Sequence, residues 1–158
     1  MPIGPLIAAE EATRSLDRMR IEGHPDAAAI SADGHAGVPA YVSRIDVQGQ
    51  DYYLVPWQGE HGIEVIVRID APNGVMSSMV VLPTPLEQLV LDPAEASRIA
   101  AAAQNTSVIG EPHLVWRACR ESASPFQPLY QVPIEGGSVF VGMDGSVYRA
   151  LTPFGKGG

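Results

Sequence analysis

Cysteine is almost missing from this sequence. Cys119 stands alone among 158 residues, so no disulfide can form within the chain, and the single thiol leans towards a reducing compartment. Positive charge is also sparse. Ten Lys and Arg face eighteen Asp and Glu, for a net charge of −8. The basic residues are scattered, which excludes the clustered cationic surface that phosphate neutralisation demands; no nucleic-acid partner is expected. No apolar run approaches the ~20 residues of a membrane helix. Met1-Pro2-Ile3-Gly4-Pro5-Leu6 has neither the basic start nor the continuous apolar core of a signal peptide. As written, the sequence reads as cytoplasmic, or as secreted if a leader has been removed. A hydrophobic fraction of 46% is ordinary for a folded chain.

What is present is a repeat. Glu11-Ala12-Thr13-Arg14 recurs as Glu95-Ala96-Ser97-Arg98, and Tyr53-x-Val55-Pro56 recurs as Tyr130-x-Val132-Pro133. Tyr41-Val42-Ser43-Arg44 is echoed by Leu114-Val115-Trp116-Arg117, and Val65 to Asp70 by Val139 to Asp144. Matches in one order, separated by offsets that differ only through loop lengths, indicate a duplicated supersecondary unit.

Each copy opens on a helix. Pro5 to Ile21 carries Ala9, Ala12, Leu16 and Met19 at helical spacing, Glu10 four residues ahead of Arg14, and Gly23 and Pro25 as stops. The second helix begins at Asp92-Pro93-Ala94-Glu95, where Asp serves as N-cap, Pro takes the first helical position and Glu follows three residues after the cap. Ala96, Ile99, Ala100 and Ala103 form its stripe, and Asn105 is a C-cap.

Strands follow each helix. The alternation of Ile63, Val65, Val67 and Ile69 with polar neighbours has a period of two. Gln48-Gly49-Gln50, Pro72-Asn73-Gly74 and Asp144-Gly145 are turn sequences. The expected fold is α+β: two tandem units, residues 1–84 and 85–158, each a helix followed by a four-stranded antiparallel meander, packed as one pseudo-symmetric domain. Residues 22–39 form a long loop of the first unit, and residues 152–158 a flexible tail.

No tight catalytic constellation is present, so no catalytic residue and no cofactor are assigned. His113 and Cys119 lie about 20 Å apart along one extended strand, too far to act together. His24, Asp26, Asp33 and His35 in the 22–39 loop are candidate metal ligands, since imidazole and carboxylate suit Zn or Fe. Trp57, Trp116, Phe126 and Tyr130 are the candidate partner-binding residues. Phe126 sits in the rigid Ser122-Ala123-Ser124-Pro125-Phe126-Gln127-Pro128 connection, and aromatics on a preordered loop are good anchors.

Tyr52-Tyr53-Leu54-Val55-Pro56 with Asp70-Ala71-Pro72-Asn73-Gly74, and Val139-Phe140-Val141 with Asp144-Gly145, resemble the strand-turn-strand segments of cystatin-like and PepSY-type α+β modules. The resemblance implies a non-catalytic protein- or peptide-binding module, such as a protease-associated inhibitor or companion domain, recognising its partner through a sheet edge or the aromatic loop. Gln131-Val132-Pro133 does not supply the Gln-x-Val-x-Gly inhibitor motif of cystatins. The alternative is a small enzyme or small-ligand binder, with a pocket at the seam between units and the 22–39 loop as a lid.

Overall fold

The computed structural model describes residues 1–154. Among these residues two α-helices and nine strands make an α+β protein, and no helix is long and apolar enough to cross a membrane. The chain divides into two compact units. Met1–Tyr41 and Gly49–Leu89 form the first; Val42–Gln48 joins the residues from Val90 onward in the second.

In the first unit, α1 spans Pro5–Ile21, starting on a proline that needs no intrahelical partner for its nitrogen. Its buried stripe is Ala8, Ala12, Ser15 and Leu16, rotated slightly from the expected Ala9, Ala12, Leu16 and Met19. Adjacent alanines at 8 and 9 leave the sequence pattern ambiguous between these faces. Arg14 pairs with Glu11 at 2.8 Å, one turn back, rather than with Glu10. Gly23, at φ +68°, turns the chain out of the helix.

The 22–39 segment is more ordered than expected. It holds a short 3-10 helix, Pro25–Ala29, and the strand β1, His35–Ala36. Strands β3 (Tyr52–Gly59), β4 (Gly62–Asp70) and β5 (Met76–Leu86) form an antiparallel meander, and β1 adds antiparallel to β3. The face towards α1 carries Tyr53, Val55, Trp57, Val65, Val67 and Ile69 into one core with Ala8, Ala12 and Leu16. Every residue from Tyr52 to Trp57 is buried, so both faces of β3 are covered.

In the second unit, α2 spans Pro93–Gln104. The Asp92 carboxylate accepts a hydrogen bond from the Ala94 amide at 2.8 Å, and Asn105 ends the helix in the left-handed conformation, φ 49°. Its Ala96 and Ala100 bury against Tyr130, Val132, Val139 and Val141. Strands β6 (His113–Trp116), β7 (Leu129–Ile134), β8 (Gly137–Val141) and β9 (Val147–Tyr148) run antiparallel in chain order.

One strand departs from the expected pattern. β2, Ala40–Arg44, was expected to sit in an antiparallel meander, yet its C-terminal half pairs parallel with β6, Ser43 opposite Val115 and Arg44 opposite Trp116. Parallel partners need a long connection, and the whole of 45–112 provides it. The expected division at 84/85 therefore differs from the units of the structure, because residues 42–48 belong with the second. The start of the expected tail is also fastened. The Glu121 carboxylate accepts hydrogen bonds from the Thr152 amide and hydroxyl, both at 2.8 Å, and Arg120 N–H donates to the Thr152 carbonyl at 2.9 Å. Residues 155–158 of that tail lie outside the described residues.

Candidate functional site

Three of the four candidate aromatic anchors lie inside the protein. Trp57 is 2% exposed, Tyr130 3% and Trp116 6%. Each spends its polar atom internally. Trp57 Nε1 donates to the Ser31 carbonyl at 3.2 Å, Tyr130 Oη to the Leu91 carbonyl at 2.6 Å, and Trp116 Nε1 to Ser122 Oγ at 3.2 Å. Arg44 lies over the Trp116 ring, 4.9 Å from its centre. A partner cannot reach side chains so enclosed, and their large apolar area stabilises the fold instead. Phe126 alone is half-exposed. Its loop is pinned by Ser122, whose buried hydroxyl donates to the Gln127 carbonyl at 2.6 Å.

The four candidate metal ligands do not converge. His24 caps the 3-10 helix, its Nδ1 accepting from the Asp26 amide at 3.2 Å. Asp33 and His35 line a cavity of about 360 Å3 with Ser31, Gln58 and Glu60, and neither His24 nor Asp26 reaches it. Among the described residues, no three His, Cys, Asp or Glu side chains are grouped to hold a metal ion. The 22–39 segment is hydrogen-bonded to β3 and β4. Ser31 donates from its amide and hydroxyl to the Glu64 carboxylate at 3.2 and 2.8 Å, and the Gly37 amide donates to the Pro56 carbonyl at 2.8 Å. Gly34 passes so close to β3 that a Cβ there would lie 2.3 Å from Trp57 Nε1 and 2.8 Å from the Gln58 carbonyl oxygen.

Cys119 is fully buried, and its thiol donates to the Ser122 carbonyl at 3.7 Å. Burial pushes its pKa up, away from the thiolate that nucleophilic chemistry requires.

The outer margin of β5 is different in kind. Among the described residues, β5 has β4 on one side and ends the sheet on the other. The Asp70 amide donates to the Val75 carbonyl and the Gly74 amide to the Asp70 carbonyl, both at 2.8 Å, so both backbone groups of Asp70 face β5. Alternation along β4 gives Arg68 and Ile66 the same orientation. Their partners are Ser78 and Val80, which therefore turn their amides and carbonyls inward, towards β4. Met79 and Val81, between and beyond them, turn theirs outward to the unpaired edge. The Met79 and Val81 side chains pack on the α1 core, while Val80 and Leu82 are half-buried.

This margin is bounded and uncharged. A register shift at Arg68/Ile69, where β5 carries the extra Ser77, marks one end. Pro83 and Pro85, which have no N–H to offer, mark the other. From Ala71 to Leu86 there is no charged side chain, the longest such run in the sequence. That run could have been seen in the residues alone. What could not is that β5 is the edge, because strand order depends on long-range pairing.

No known protein family, curated protein or solved structure matches this chain.

Proposed function

We propose that the chain is a non-catalytic protein- or peptide-binding module, built from two related helix-and-sheet units of cystatin-like or PepSY type, which captures an extended segment of a partner along the outer edge of β5. The observation that carries this reading is the pair of outward-facing backbone positions, Met79 and Val81, on a strand whose edge is left without charge. Proteins ordinarily guard an edge with lysine, inward charge, proline, a bulge or a covering element; here the bulge at Ser77 and the proline at 83 guard only the two ends of the 79–81 stretch. An unguarded one is a template for strand addition, in which main-chain hydrogen bonds give affinity and alternate side chains give selectivity. The added strand would lie beside Met79 and Val81 on one face and Val80 and Leu82 on the other, so it would be apolar at successive positions. Companionship to a protease, or inhibition of one, is the form of this function that the PepSY and cystatin resemblance suggests.

Selection from a displayed library of random short peptides tests the reading. Enriched peptides should be β-branched and free of proline, and their binding should slow exchange of the Met79 and Val81 amides. Val81→Pro, which deletes one outward donor, should weaken them by about fivefold, the worth of one net hydrogen bond of ~1 kcal/mol. Enriched peptides that leave both amides exchanging as before would refute strand addition.

A further inference from the structure

We infer that the free edge of β5 pairs with β5 of a second copy of this chain, forming a two-fold antiparallel dimer that masks the edge until a partner displaces it. The inference rests on the reading of β5 as an exposed pairing edge and adds a competing occupant to it. Electrostatics select that occupant's docking place. Two copies carrying −8 each repel wherever acidic surface meets acidic surface. A two-fold interface also brings residues near the axis against their own equivalents, so an acidic residue there would meet itself. β5 lies within the longest stretch free of that penalty.

The backbone selects the register. With the two-fold axis at Val80, Met79 of one copy lies opposite Val81 of the other, and Val81 opposite Met79. Both are outward-facing positions, so each pair exchanges two hydrogen bonds. Val80 then faces Val80 across the axis, in the closer, non-hydrogen-bonded spacing where β-branched side chains pack well. The ladder then ends where Pro83, which lacks a donor, meets the extra residue Ser77; sliding by two residues in either direction sets one of them opposite Met79 or Val81 and leaves a single intact pair. One short register remains. So small an interface is weak, and a partner segment whose side chains pack better beside Met79 to Leu82 can replace it.

Sedimentation equilibrium over a broad concentration range, combined with amide hydrogen exchange, tests this. The expected result is a weak, reversible monomer–dimer equilibrium, in which Met79 and Val81 become protected only as the dimer forms. Val80→Lys, which sets two ammonium groups against each other on the axis, should weaken the dimer at least tenfold. Should that variant fail to fold, the concentration dependence of protection in the native chain decides alone. A chain that stays monomeric throughout, or amide protection that ignores concentration, overturns the dimer. Peptide capture by a monomeric chain overturns the dimer only; a dimer that no selected peptide dissociates leaves the β5 pairing standing and overturns the partner reading together with the displacement.

Discussion

Gly34 carries the tightest constraint at the scale of single residues. A methyl group there would collide with the Trp57 indole and the Gln58 carbonyl, a backbone atom that cannot swing away. Gly34→Ala should destabilise the first unit by about 1–3 kcal/mol, the usual cost of overpacking, read as a lowered denaturant midpoint. Asp46 gives a pH signature to the second unit. The Arg44 guanidinium hydrogen-bonds its carboxylate at 2.8 Å, the Ala118 amide adds a bond at 3.3 Å, and the pKa falls from 3.8 to about 2 against a smaller opposing push from burial. A depressed carboxylate contributes stability above its unfolded pKa and loses it as pH falls through the folded one. The melting-temperature gap between native chain and Asp46→Asn should therefore be full above about pH 4 and shrink towards about pH 2. Cys119 should resist thiol reagents in the folded chain and react rapidly once denatured, since burial both shields it and disfavours the thiolate.

Elements differ in how plainly the residues announce them. α2 is legible because its signals are local: Asp92 caps, Pro93 starts and Asn105 stops it within a few bonds of where each acts. Asp92→Ala should accordingly cost about 1 kcal/mol, measurable by thermal denaturation. β2 was not legible as a parallel strand, because its partner β6 lies a whole unit later in the chain and nothing in Tyr41-Val42-Ser43-Arg44 encodes direction. The aromatics failed in another way. Trp57, Trp116 and Tyr130 combine an apolar body with a polar atom, a composition equally suited to an interface or a core; only the internal acceptors at Ser31, Ser122 and Leu91 decide for the core. β5 lies between these cases. Its charge-free run is visible in the residues, but its place at the sheet's end is not.

For the whole molecule, the excess of acid governs association. At low ionic strength, charges on separate copies interact over about 30 Å, and at physiological salt over about 8 Å. Because β5 contributes no charge of its own, salt has repulsion to screen and no ion pair there to weaken. Dimerisation should strengthen as salt rises from about 0.01 to 0.15 M, a trend that sedimentation can follow and that an ion-paired interface would reverse. The route of the chain has a further consequence, for synthesis. Residues 42–48 are made before β3 but belong with segments made after Val90. A ribosome that has released only the first eighty-nine residues has delivered β1, β3, β4 and β5 together with a β2 whose parallel partner, β6, does not yet exist. A gene fragment cut at that boundary would leave Ser43 and Arg44 without the Val115 and Trp116 positions they pair with.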